Sequence, residues 1–194
     1  MFSFYALISR MKNISRWALM RNSYTENVQE HSHMVAVLAH ALAVIGRDIY
    51  GKNIDPDRCA TAALFHDASE ILTGDMPTPI KYHNKEIIKA YKEVELLASK
   101  KLLSTLPNEI QASYRPLLCD VDEEMERIIK AADKLSAYIK CLEELKTGNN
   151  EFLLAANQTK EKLISYNMQE VDYFMEHCIP AFELTLDELN FSVE

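Results

Sequence analysis

The stretch Ala62-Ala63-Leu64-Phe65-His66-Asp67-Ala68-Ser69-Glu70 sets an imidazole and a carboxylate side by side at the end of an apolar run. A second carboxylate follows four residues after the imidazole. Residues four apart on an α-helix share a face, so the spacing predicts that His66 and Glu70 point the same way. A His-Asp pair closing a buried helix is half of a metal site, and the other half must come from elsewhere in the chain. The dipeptide alone carries little weight. A chain with six His holds about 0.3 such pairs by chance, and an isolated one reads as a helix end with Asp67 in solvent. Its weight comes from the residues that accompany it.

At 194 residues the chain suits one domain, 1–194, with a sizeable core. Only four Gly and six Pro, with abundant Leu, Ala, Glu and Lys, predict an all-α protein. A net charge of −8 argues against nucleic acid and membrane surfaces as partners, because neither polyanion is drawn to such a field. A small phosphorylated substrate stays compatible, provided a metal or a few placed Arg and Lys supply local positive charge. Cys59, Cys119, Cys141 and Cys178 form no C-x-x-C pair and read as small buried hydrophobes, which suits a reducing cytoplasm. No cationic segment precedes an apolar one at the start, so no signal peptide is expected. The longest apolar run, Met34 to Ile45, contains His40 and is too short to span a bilayer.

Upstream of the His-Asp pair, Phe4, Leu7, Ile8 and Met11 mark a first amphipathic helix. An irregular stretch then carries Arg16 and the only tryptophan, Trp17. Asn27-Val28-Gln29-Glu30 has the form of a capping box, so a helix starts at Val28 and His31 closes its first turn. The following Met34-Val35-Ala36-Val37-Leu38-Ala39 is apolar nearly all round and predicts a central helix. His33 projects to the opposite side, toward solvent, while His40 reads as a hydrogen-bonded core histidine. Asp55-Pro56 caps the helix that leads through His66-Asp67 to Gly74.

Asp75-Met76-Pro77-Thr78-Pro79 is a stiff loop, since two prolines fix backbone angles and remove two donors. Thr78 and Pro79 open the next helix, which continues through Ala98. Pro107 to Tyr114 is a short helix or turn ended by Pro116. Asp122 caps a long helix on which Asp133 falls against the apolar face, a costly place for a carboxylate that is neither paired nor bound to a cation. Helices over Phe152–Ile164 and Met168–Cys178 and a last short one capped at Thr185 complete about seven to nine.

His31, His66, Asp67 and Asp133 together give two imidazoles and two carboxylates. That set suits a first-row divalent cation such as Mn2+, Co2+ or Fe2+, with positions left for water and substrate. Such a cation lowers the pKa of bound water and neutralises phosphate charge, and Glu70 is placed to move a proton.

The order His31, His66-Asp67, Asp133 resembles the HD-domain superfamily of metal-dependent phosphohydrolases. More narrowly, the chain is similar to the bacterial HD-type 5′-deoxynucleotidases. The matching stretches are Arg16-Trp17, Thr25-Glu26-Asn27, Glu30-His31-Ser32, His66 to Glu70, Leu72-Thr73-Gly74-Asp75, Pro77 to Tyr82, Ala132-Asp133, and Cys141-Leu142-Glu143-Glu144-Leu145 on to Phe152. The resemblance implies hydrolysis of deoxyribonucleoside 5′-monophosphates by a cytoplasmic homodimer that holds one divalent cation, Co2+ or Mn2+ before others. It implies His31, His66, Asp67 and Asp133 as ligands, with Asp67 also near the substrate. Arg16 would orient the phosphate and Glu70 would assist proton transfer. Trp17, Asp75, Met76, Pro77 and Thr78 would line the sugar pocket. Two alternatives stay open: an HD enzyme for a dNTP or cyclic nucleotide, and a non-catalytic HD module that binds nucleotide.

Overall fold

The computed structural model describes residues 1–81 and 83–189, except for the side chain of Thr78. Tyr82, counted among the family-like stretches, lies outside the described residues. The described chain is helical, as the composition predicts, with eleven α-helical segments: α1 (Phe4–Ile8), α2 (Val28–Val44), α3 (Pro56–Ala63), α4 (Glu70–Thr73), α5 (Thr78–Lys81), α6 (Lys85–Leu103), α7 (Asn108–Leu118), α8 (Glu123–Lys146), α9 (Leu153–Ser165), α10 (Gln169–His177) and α11 (Leu186–Leu189). Seven of these have eight residues or more, and the rest are single turns.

The caps read from the sequence hold. Asn27 Oδ1 accepts from the Gln29 and Glu30 amides while Glu30 Oε2 accepts from the Asn27 amide, a complete capping box. Asp55 caps α3 through the Arg58 amide, and Asp122 caps α8 through the Met125 amide. Each such cap satisfies a donor that the first helical turn leaves open, worth about 1 kcal/mol.

Two apolar clusters form the interior. The larger is built by α2, α3 and α8 with α9 and α10, and contains Leu42, Ala62, Leu135, Phe152, Leu163 and Val171. Each fully buried Leu there contributes about 1.5–3 kcal/mol. The smaller gathers Phe4 of α1, Ala68, Leu102 and Leu103 at the end of α6, and Leu106 in the turn that follows. The segment from Ala62 to Ala68 passes from one cluster to the other, so the His-Asp pair sits at their seam.

The structure differs from the sequence reading at five places. First, α3 stops at Ala63, and residues 65–72 are held by i→i−3 bonds such as Phe65 N–H to Ala62 O and Glu70 N–H to Asp67 O. His66 Nδ1 donates to Ala63 O at 2.7 Å, taking the carbonyl that the next helical amide would need, and the backbone tightens instead. His66 and Glu70 therefore stand on either side of a helix break, not one turn apart on one helix. Second, His40 is exposed and faces Asp57 at 3.7 Å. Position 40 lies seven residues after His33, on the outward strip of α2 that also exposes Val37, so rotation of 100° per residue puts it outside. Third, α5 ends at Lys81, and α6 begins afresh at Lys85, with Asn84 capping through the Ile87 amide. Fourth, α7 continues past Pro116 to Leu118. Fifth, α2 runs on into a π-helical stretch, Ile45–Ile49, giving 22 residues apolar enough by composition to cross a membrane. Half of that span is buried against the rest of the fold, as a core helix is.

Candidate metal centre and active site

His31 is 1% exposed in the first turn of α2. Its Nδ1 lies 3.1 Å from Ser136 Oγ and its Nε2 3.1 Å from Asp133 Oδ1. Asp133 and Ser136 are three apart on α8 and so share the face turned to α2. With Nδ1 engaged by the hydroxyl, Nε2 is the nitrogen aimed at the carboxylates. His66 is oriented in the same manner by Ala63 O. Its Nε2 is buried without a hydrogen-bond partner. Asp67 Oδ2 lies 3.1 Å from that nitrogen, outside hydrogen-bond geometry, and 3.7 Å from His31 Nε2. One donor atom each from His31, His66 and Asp133 falls within 4.8 Å of the others.

An unpartnered nitrogen facing two carboxylates in a buried site is what a divalent cation would satisfy. Two imidazoles and two carboxylates match the preference of first-row metals for mixed nitrogen and oxygen donors, so the residues present fit the ion that the sequence implies.

The charges around the cluster are strongly displaced from their ordinary behaviour. Burial disfavours ionisation of Asp67 and Asp133, but the groups that face them outweigh it. His66 and His31 hold Asp67 well below the carboxylate range, and Lys134 with His31 does the same for Asp133. Burial likewise opposes charging of His66, and Asp67 and Asp133 overcome it, raising the imidazole. Glu70 goes the other way. It is 4% exposed, its Oε2 has no partner, and burial reinforced by Asp67 and Asp75 pushes its carboxyl up to about 9. Asp75 is raised by burial, with Arg16 opposing.

Arg16 brings the local cation that an acidic protein needs for phosphate. Its Nε donates to Glu26 Oε2 at 3.0 Å, and Nη1 reaches Asp67 Oδ2 at 3.5 Å. Burial acts against its charge, but Asp67, Asp133, Glu26 and Asp75 together keep it a firm cation. Trp17 is half-buried, its ring centroid 5.4 Å from that of Phe152. Met76 and Pro77 lie half-buried on the loop that follows Gly74. This loop is tethered to α6 by a 3.5 Å hydrogen bond from the Tyr91 hydroxyl to Gly74 O. Thr78 opens α5, and its side chain lies outside the described part.

Sequence reasoning assigned no role to Ser136, Glu26, Lys140 or Glu144. Ser136 could have been found from its i, i+3 spacing to Asp133. Lys140 and Glu144 are an i, i+4 pair on an otherwise apolar helix face. Glu26 reaches Arg16 across a loop, a contact that no periodicity announces.

A helical fold that brings a histidine, a His-Asp pair and a later aspartate to one cluster defines an HD-type phosphohydrolase. An HD-domain phosphohydrolase from Listeria innocua shares this fold, with a TM-score of 0.80 and 27% identity over 93% of this chain and 88% of that one. The chain belongs to the 5′-deoxynucleotidase YfbR-like family, whose pattern matches residues 3–182. It is 51% identical over 192 residues, 98% of both chains, to the 5′-deoxynucleotidase plu3092 of Photorhabdus laumondii. It is 50% identical over 189 residues to the 5′-deoxynucleotidase YfbR of Escherichia coli O127:H6, covering 96% of this chain and 95% of that one. At 22% identity and a TM-score of 0.60, the fold also matches that of the cyanophage S-2L HD phosphohydrolase DatZ, solved bound to dA and one catalytic Zn2+ ion.

Proposed function

We infer that the protein is a divalent-cation-dependent 5′-deoxynucleotidase, hydrolysing deoxyribonucleoside 5′-monophosphates to deoxyribonucleoside and phosphate, with residues 1–194 acting as one HD domain. The observation that carries this is the buried, unpartnered His66 Nε2 facing His31, Asp67 and Asp133, in a chain half identical to enzymes named for that activity.

His31, His66, Asp67 and Asp133 hold the cation; Ala63 O fixes the His66 tautomer that frees its Nε2, and Ser136 Oγ holds the His31 ring with its Nε2 toward the ion. A divalent ion held there supplies acidified water and neutralises phosphate charge. Arg16, cationic and turned toward Asp67, orients the phosphate through its planar fork. Burial, with Asp67 and Asp75, raises the Glu70 carboxyl above the ordinary carboxylate range, which suits a group that moves protons near neutral pH. When water adds to phosphorus and the bond to the 5′-oxygen breaks, the water gives up one proton and the leaving oxygen gains one; Glu70 carries the proton between them, a contribution of about 10²–10⁴ in rate. Trp17 excludes a 2′-hydroxyl by contact, and Asp75 accepts from the 3′-hydroxyl, with Met76, Pro77 and Thr78 completing the sugar pocket.

Co2+ and Mn2+ are the expected activators, and Zn2+ joins them because the DatZ neighbour was solved with it. A cytoplasmic homodimer is the expected assembly, and the exposed Met34 and Val37 on α2 offer it an apolar strip.

The test is a product assay of metal-loaded protein against dNMPs, NMPs, dNTPs and cyclic nucleotides. Release of phosphate from dNMPs well ahead of NMPs supports the reading. Equal turnover of dAMP and AMP removes the sugar selectivity, and preferred cleavage of dNTPs or cyclic nucleotides replaces the substrate. No turnover of any of them, with nucleotide still bound, leaves a binding module.

A further inference from the structure

Arg16 and Trp17 are consecutive, and in an extended chain their side chains would point to opposite sides. Here they converge. Trp17 has φ = 56°, a left-handed conformation that a bulky residue adopts only when its surroundings impose it. Its neighbours supply that constraint. The Arg16 amide donates to Glu26 O and the Val28 amide to Ile14 O, pairing Ser15 with Asn27 in an isolated antiparallel bridge. On the other side, the Met20 amide and the Asn22 side chain both donate to Trp17 O. The result is that Arg16 Nε and Trp17 Nε1 each donate at 3.0 Å to the same oxygen, Glu26 Oε2. The Glu26 and Arg16 side chains are 16% and 12% exposed, so water competes poorly for either bond.

We propose that Glu26 is a positioning residue that locks the phosphate-orienting guanidinium and the sugar-facing indole into one unit, so that phosphate binding and deoxy-sugar selectivity depend on a single carboxylate. The inference rests on the nucleotidase reading for what the two groups touch, and on geometry alone for the lock. With Nε committed to Glu26, only the outer nitrogens of the guanidinium fork are left for phosphate, and Nη1 is the one that faces Asp67. With Nε1 committed, the indole cannot rotate away from Phe152. Substrate would therefore meet both groups already oriented, and the rotamer freedom lost on binding would be small.

The test uses Glu26→Gln in the full chain with its cation. The amide oxygen that replaces Oε2 carries no charge, so it holds both N–H groups, that of the guanidinium above all, much more weakly than the carboxylate does. The expected result is a fall of about ten- to hundredfold in kcat/KM for dAMP, the size of a lost charge-assisted bond. It should appear mainly in KM and be accompanied by a lower dAMP-to-AMP ratio. Trp17 is the only tryptophan, so its emission reports the lock directly. Emission should shift and acrylamide quenching should rise in Glu26→Gln, while cation content holds. Glu26→Asp, whose shorter arm cannot reach both donors, should show the same pattern and serves if the amide variant does not fold. Unchanged Trp17 emission and quenching, or a dAMP-to-AMP ratio equal to the wild type's, would overturn the proposal. Failure of the wild type to hydrolyse any dNMP would overturn the nucleotidase reading instead, and the fluorescence measurement would still decide the lock.

Discussion

Replacing Glu144 by Gln tests how the substrate-side arm is fastened to the helical core. Lys140 and Glu144 are 5% and 0% exposed on α8, and Lys140 Nζ reaches both Glu144 Oε1 and Tyr24 O at 2.5 Å. Glu144 also accepts from the Ser23 amide at 2.8 Å, the Tyr24 amide at 3.2 Å and Asn149 Nδ2 at 2.8 Å. One carboxylate thus pins the segment that follows Arg16 and Trp17. Burial alone would raise its pKa, but these donors, Lys140 first, bring it down to about 2 from an ordinary 4.5.

At about 1.4 kcal/mol per pH unit, that difference stabilises the folded anion by about 3 kcal/mol at neutral pH. Removing one partner of a buried pair costs about the same, since the other charge is left uncompensated. For a chain of this length the loss is about 6–12 °C in Tm. Because the folded pKa is depressed, the stabilisation is complete above pH 4.5 and disappears as pH falls toward 2. Urea unfolding followed by circular dichroism, at pH 7 and at pH 3, should therefore show a gap between wild type and Glu144→Gln that narrows on acidification. The double variant Lys140→Met/Glu144→Leu should not regain the loss at pH 7, because the Ser23 and Tyr24 amides and Asn149 Nδ2 stay without their acceptor. A gap at pH 7 no larger than that of a surface substitution, about 0.5 kcal/mol, or one equal at both pH values, would refute the reasoning.

Glu70→Gln should lower kcat by about 10²–10⁴ while titration calorimetry shows cation and dAMP still bound, as expected if Glu70 moves a proton and does not hold the ion. An unchanged kcat removes it from the chemistry. Ser136→Ala should weaken cation binding by about 10–100-fold, because the hydroxyl holds the His31 ring from the side away from the ion. Equal affinity in the two proteins would mean that the ring is held by other contacts.

The caps were legible because they depend on local chemistry: Asn27, Asp55 and Asp122 each sit beside the amides they serve. The spacing of His31, His66-Asp67 and Asp133 was likewise readable as three arms of one cluster, each on or beside a helix. The break after Ala63 was not, since it depends on the His66 ring competing for a backbone carbonyl, which periodicity cannot register. His40 was misplaced because composition marked α2 as central while only its rotation says which strip faces out. Glu26, though part of a family-like stretch, was given no role because its partners, ten and nine residues back, meet it beside an isolated β-bridge in a stretch without helical or strand period. The buried Lys140–Glu144 pair resembled an ordinary solvent-facing i, i+4 pair, and only packing distinguishes the two.

Crystals grown with Mn2+ and examined by anomalous diffraction give the most direct test of the cation cluster. The account predicts one peak, about 2.0–2.2 Å from His31 Nε2, His66 Nε2 and carboxylate oxygens of Asp67 and Asp133. A peak that leaves out either imidazole, or no peak at this cluster while Mn2+ supports phosphate release from dAMP, would contradict it.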